Sequence, residues 1–300
     1  MAFVVVLFVV DKAFLPLRHW AADRLEDPRV REVLDGEVDA ELLVMGSSRG
    51  DEAIDAPLLE ELTGLRTYSL AFHGSEIEFS TFLLRELLRH ERRPRLIVRA
   101  LDDPHELTEE YLIGFRTDLL YPLVDYPAAR RELVARGEKD RWLSELFVLY
   151  QVGFAAFDFR RPAARPPELV RYGAVPEPPT EGRQRLEYRR DSVLDRSREL
   201  PEKIAAFREF ERLCHDNGIP LVLALTPNFR EPVRGFVERI RELSDPRTRL
   251  FVFNKSEARY RDFDYFNDRT HLNRRGAEIY TRELADYLSP AAPPAKVNQQ

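Results

Sequence analysis

Five short apolar runs, at residues 40–45, 67–71, 96–101, 220–225 and 249–253, constrain this chain more than any other feature. Each is too short for a buried helix and gives way to a loop or helix signal, as buried strands do. Helical patterns fall between them at residues 56–62, 76–90, 200–217 and 233–243, and the third closes on Asn217-Gly218, which suits a helix C-cap. A last pattern begins after Asn273, whose side chain can cap it, and runs through Ala277, Tyr280, Leu284 and Leu288. Strands that alternate with helices bury both faces of a parallel sheet. The predicted class is therefore α/β, a three-layer doubly wound sheet of about five strands.

From residue 103 to about residue 200 the alternation fails. Aromatic-rich helical stretches at residues 111–126 and 142–159 lead into a Pro- and Arg-rich segment at residues 160–185. This is read as an insertion after the third strand, a cap over the site or a partner surface, with the Pro-rich piece a loop or partly disordered. Residues 290–300 read as a tail. At the other end, residues 2–10 are apolar without interruption, followed by Asp11 and Lys12. A bilayer span takes roughly 20 apolar residues. The run is read as the C-terminal part of a membrane anchor over residues 1–19, with Arg18, His19 and Trp20 as an interfacial flank. The alternative is a buried strand or helix of the core. Residues 20–37, polar and helix-prone, then read as a stalk opening the domain that continues to residue 289.

Composition removes several classes. Hydrophobic residues make up 44% and charged residues 33%, with a net charge of -6, so the chain is globular rather than polytopic and has no basic field for nucleic acid. The single cysteine, Cys214, lies in a helical pattern with Phe207, Phe210 and Leu213 and reads as a buried thiol; it excludes an internal disulfide. The 6 histidines are dispersed without metal-ligand spacing, and neither a Gly-x-Gly-x-x-Gly stretch nor a phosphate loop occurs. No metal and no cofactor are expected.

Two short blocks carry chemistry. The first apolar run ends in Gly46-Ser47-Ser48-Arg49, and just before the last helix stands Asp268-Arg269-Thr270-His271-Leu272-Asn273. Asp268 can reach His271 within one turn, fix its tautomer and stabilise the imidazolium formed when it takes a proton from serine. Ser48 is the expected nucleophile, since a residue just after a parallel strand projects from the carboxyl edge of the sheet, where open α/β folds place ligands. Weaker candidates follow. His73 next to Gly74, Asp102 beside Asp103, and Asn228 are substrate-binding candidates, each with a structural alternative: a satisfied histidine, a helix cap and a turn.

In this order the blocks resemble the SGNH, or GDSL-like, hydrolase superfamily. Gly46-Ser47-Ser48 matches its serine block with Ser47 in place of the usual Asp, and Asp268 to His271 matches its last block. Ala71-Phe72-His73-Gly74-Ser75 is similar to the block bearing an oxyanion glycine. After the third strand, Ala100-Leu101-Asp102-Asp103 lacks the family's asparagine, a departure that points to the membrane-tethered branch resembling the teichoic-acid D-alanyl transfer protein and the alginate O-acetylation proteins. The resemblance covers roughly residues 40–102 and 200–288 and implies a flavodoxin-like fold. It also implies an acyl-enzyme on Ser48, with the backbone amides of Ser48 and Gly74 as oxyanion candidates; with the asparagine missing, Arg49 is the remaining oxyanion or anion-binding candidate, its structural alternative being an exposed charge at a helix start. The implied activity is that of an O-acyl esterase or acyltransferase on a cell-envelope polysaccharide. Implied partners are an acylated polysaccharide or acyl donor and a membrane-bound O-acyltransferase, with the chain anchored outside the cytoplasm through its N-terminus. Two rivals remain: a non-catalytic protein of this fold that binds glycan or docks onto the acyltransferase, and a soluble cytoplasmic esterase.

Overall fold

The computed structural model describes residues 2–16, 25, 27–90, 93–152, 165–182, 184–189 and 192–289. Five parallel strands, β1 (Leu42–Gly46), β2 (Thr67–Ala71), β3 (Leu96–Leu101), β4 (Leu221–Leu225) and β5 (Arg249–Val252), form one sheet in the order β2-β1-β3-β4-β5. The five-stranded parallel sheet is the doubly wound class expected from the alternation, and its strand order is the flavodoxin-like one. β1 and β4 are buried along their whole length, which is why they appear in the sequence as continuous apolar runs; β2 is buried throughout as well and takes the polar Thr67 and Ser69 inside with it.

The helices, in chain order, are α1 (Ala2–Lys12), α2 (Arg29–Asp35), α3 (Ser48–Ala53), α4 (Ala56–Thr63), α5 (Ile77–Arg89), α6 (Thr117–Leu120), α7 (Pro127–Ala135), α8 (Arg141–Leu146), α9 (Val148–Val152), α10 (Pro167–Tyr172), α11 (Pro201–Asp216), α12 (Phe236–Leu243) and α13 (Arg274–Leu288). Right-handed crossovers decide their sides. The chain moves one way along the sheet from β2 to β3 to β4 to β5, so α5, α11 and α12 share a face, and α5 packs on α11. The step from β1 to β2 runs the other way and puts α3 and α4 on the opposite face, where α13 packs on both. The strand order reverses between β1 and β3, and a crevice opens there at the carboxyl ends.

Several expectations are corrected in the first third of the chain and in the insertion. The proposed stalk is in part a piece of the domain: α2 packs on α5 and buries Val30, Val33 and Leu34. The first apolar run is an 11-residue helix, α1, and it is not a core element, since Val6, Val9 and Val10 are each more than half exposed. It is fastened to the insertion: the buried Asp11 carboxylate accepts from the amides of Val148 and Leu149 at 2.7 and 2.9 Å, Lys12 donates to the Leu146 carbonyl, and Phe8 meets Phe147 edge-on. Among the described residues no helix is long and apolar enough to cross a membrane. Arg18, His19, Trp20 and the tail at residues 290–300 lie outside the described residues.

Residues 111–126, expected as helix, hold only the short α6 and a 3-10 turn. Of the Pro-rich segment, Pro167–Tyr172 is the short helix α10, and residues 174–180 carry no helix or strand, the loop the sequence suggested, strapped to the domain by side chains. Arg274 donates to the carbonyls of Pro176 and Glu177, and Asn267 brackets Pro178 and Thr180, so backbone groups that proline leaves without a ladder find side-chain partners.

Candidate active site

Ser48 opens α3 directly after β1. Gly46 makes the turn possible: its φ is +150°, and a Cβ there would stand 3.0 Å from the Ala100 methyl on β3. Ser47 then holds the chain down. Its hydroxyl donates to Asp102 Oδ1 at 2.6 Å across the β1/β3 crevice and accepts from the Arg49 amide as the N-cap of α3. Ser48 is left pointing at the other block.

That block is pinned from both sides. Phe266 and Leu272, both buried, form an isolated bridge, and the Asn267 amide donates to the His271 carbonyl. Asn273 caps α13 through the amides of Arg275 and Gly276 and donates to the Asp264 carbonyl. A Cβ on Gly276 would stand 2.3 Å from the Tyr265 carbonyl, so the helix start can sit this close only with glycine there.

The three side chains meet. Ser48 Oγ lies 2.7 Å from His271 Nε2, and His271 Nδ1 lies 2.7 Å from Asp268 Oδ2. A carboxylate only accepts, so Nδ1 carries the proton and Nε2 presents the lone pair to the serine hydroxyl. Asp268 is half exposed, and its other oxygen accepts from the amides of Thr270 and His271. Burial alone would raise its pKa; the His271 hydrogen bond and charge, with those two amides, instead hold the carboxyl well below the usual range.

A cavity of about 350 Å³ lies over Ser48, lined among others by Arg49, His73, Gly74, His105, Glu110 and Leu112. Among the described residues, the backbone amides of Ser48 and Gly74 have no protein acceptor. Both belong to residues that line the cavity. Arg49, the other oxyanion candidate, is buried and engaged: Nη1 donates to the Asp103 carbonyl at 3.0 Å and Nε stands 3.5 Å from Asp102. Its guanidinium ties α3 to the loop after β3 and is not free for substrate.

The substrate-binding candidates divide. His73 lines the cavity, whereas Asp102 and Asn228 are 3% and 4% exposed and are not part of its lining. Asp102 is a bracket for Ser47 and Arg49. Asn228 sits in a turn bridged to Arg230, which is the structural alternative the sequence left open. Asp103, beside Asp102, accepts from the Val233 amide, and burial raises its carboxyl.

Some residues at the site were not singled out from the sequence. Asp51 and Glu52 follow Ser48 by one helical turn and so share its face of α3, a spacing that could have flagged them. His73 Nε2 lies 3.1 Å from Asp51 and 3.5 Å from Glu52. Asp51 also accepts from Arg29 of α2, whose guanidinium is buried over the Phe72 ring and donates to the Ala71 carbonyl at 2.7 Å. The His73 and His271 rings are nearly parallel, with centroids 6.1 Å apart. The bond to Asp51 raises the His73 pKa despite burial, while burial pushes Glu52 up to about 7. Nothing local in residue 29 signals this contact. From the insertion come His105 and Glu110, 3.2 Å apart on the far wall.

The geometry provides a nucleophile, a general base in the right tautomer, an orienting acid and two unclaimed amides at one cavity. That is the equipment for acyl transfer. No protein-family model matches the chain, and no curated protein matches it.

Proposed function

We propose that this chain is a serine-dependent O-acyl esterase or acyltransferase of the SGNH type, acting through an acyl-enzyme on a cell-envelope polysaccharide. The observation that carries the reading is the continuous Ser48–His271–Asp268 relay, with both contacts at 2.7 Å, opening on the cavity that Gly74 also lines. In the proposed reaction His271 Nε2 takes the Ser48 proton while Oγ bonds to the acyl carbon and the carbonyl electrons move onto oxygen. Amides of Ser48 and Gly74 receive that charge. As the carbonyl re-forms, the bond to the leaving oxygen or sulfur breaks and His271 returns the proton to it. Water or a sugar hydroxyl, deprotonated by His271, then attacks the Ser48 ester and releases the acid or the new ester.

The placement supported best is outside the cytoplasm at a membrane, approached through the N-terminal helix. An apolar helix held rigidly on the insertion through Asp11 favours a fixed distance between membrane surface and cavity over a loose tether. The same region favours one second reading, docking onto a membrane-bound O-acyltransferase: Trp142, Leu143 and Leu146 on α8 and Leu149 on α9 are exposed beside α1.

The deciding experiment is hydrolysis of p-nitrophenyl acetate by the full chain beside Ser48→Ala, with a serine-reactive phosphonate as a label. Serine-dependent turnover with labelling at Ser48 is expected. A folded protein that neither turns over nor labels would sink the catalytic reading in favour of the docking one.

A further inference from the structure

An oxyanion formed over Ser48 would stand in acidic surroundings. Glu110 lines the cavity, Asp268 sits behind His271, and Asp51, Glu52 and Glu177 all act on His73. Two neutral amides would face this field, so a fixed cation in the wall is required for the charge to develop cheaply. Four cationic or potentially cationic side chains line the cavity: Arg49, His73, His105 and His271. Arg49 is taken by Asp102 and Asp103, and His271 Nε2 is the base. His105 pairs with Glu110, and burial lowers its pKa. His73 remains. Its Nε2 is claimed by Asp51, its Nδ1 has no partner among the described residues, and its side chain is 52% exposed. It also directly precedes Gly74, so covalent geometry keeps its ring close to the Gly74 amide.

We propose that His73, pinned through Nε2 by Asp51 and through Asp51 by Arg29, donates Nδ1–H to the oxyanion that forms when Ser48 attacks an acyl carbonyl. The inference rests on the serine-hydrolase reading above and names a catalytic residue for it. Both ring nitrogens must then carry protons, since Nε2–H already donates to Asp51. The groups facing this imidazolium support that state: Asp51 and Glu52 from α3 and Glu177 from the strap favour it, and Arg29 stands one residue further off behind Asp51. Arg116 touches His73 only at its carbonyl, and the His271 ring lies nearly parallel to the His73 ring at a centroid distance of 6.1 Å, presenting Nε2 to Ser48 as the base.

The test is the pH profile of kcat/KM for p-nitrophenyl acetate, from about pH 5 to about pH 10, for the wild-type chain, His73→Gln and Asp51→Asn. The wild type is expected to lose activity on the alkaline side as His73 gives up its proton. His73→Gln should fall by ~10²–10³-fold at its plateau and lose the alkaline limb. Asp51→Asn removes the carboxylate that favours the imidazolium, so its alkaline limb should move to lower pH. A His73→Gln profile within about threefold of wild type, or with the alkaline limb intact, overturns the proposal. If that variant does not fold, the Asp51→Asn limb decides, and an unmoved limb overturns it equally. Wild-type protein without Ser48-dependent turnover overturns the hydrolase reading, and this proposal with it.

Discussion

Two histidine–aspartate pairs share one cavity wall, and what distinguishes them is which nitrogen the acid takes and what stands behind the acid. Asp268 takes Nδ1 of His271, leaving Nε2 for Ser48, and is itself half exposed and held mainly by backbone amides. Asp51 takes Nε2 of His73, leaving Nδ1, and is buried against Arg29. The first arrangement suits a base that must gain and lose a proton in each turnover. The second suits a proton that stays. A histidine's role is therefore set by its second partner rather than by its own environment alone.

The comparison can be broken most severely at the first pair. Ser48→Ala and His271→Ala should each lower kcat for p-nitrophenyl acetate by about 10⁴-fold or more, with phosphonate labelling abolished in the serine variant. Asp268→Asn should cost about 10⁴-fold at most, because the amide can hold the ring in the wrong tautomer. None of the three should shift the thermal midpoint much, since the relay lies at the surface of the core.

The second pair should respond in stability. Arg29 is buried, donates to Asp27, Asp51 and the Ala71 carbonyl, and packs on Phe72. Arg29→Ala leaves Asp51 without its buried partner and is expected to cost on the order of 3 kcal/mol in urea unfolding. A loss under about 1 kcal/mol would mean that water replaces the guanidinium and that Asp51 is not rigidly held.

The smallest effect expected is at Glu52. Burial raises its carboxyl from the ordinary 4.5 to about 7. Below pH 4.5 the group is protonated folded or unfolded and costs nothing. Between there and about pH 7 the unfolded chain ionises first, so stability contributed by the neutral form is lost as pH rises. Glu52→Gln should therefore raise the melting temperature at pH 8 by a few degrees and leave it unchanged at pH 4.5, read by calorimetry at both values. An equal shift at the two pH values would indicate a packing effect with no ionisation in it.

Much of the sheet was legible because its signals are local. The runs at residues 67–71 and 96–101 coincide with β2 and β3, the Asn217-Gly218 stop and the Asn273 cap stand where expected, and Cys214 is buried. The insertion was less legible. Aromatic content at residues 111–126 resembles a helix face, but Phe115 instead packs between Phe79 and Phe82 of α5, and that tertiary use breaks the helix. Arg49 shows the same limit at the site: an arginine at a helix start reads as exposed, and only the two aspartates after β3 turn it inward.

By itself, the sequence determined the strands and the main helices outside the insertion, the all-parallel class and the two blocks that hold Ser48, Asp268 and His271, because periodicity, turn residues and close spacing act over a few residues. Only the tertiary structure decided that Ser48, the serine the sequence put forward, meets a histidine 223 residues away, and that Ser47 braces β3 through Asp102. It also decided that His73 is held by Asp51 and Arg29 while Asp102 and Asn228 are buried. Those outcomes depend on how the sheet order brings β1, β2, β3 and the start of α13 to one edge, and no local preference encodes a distance between residues so far apart in the chain.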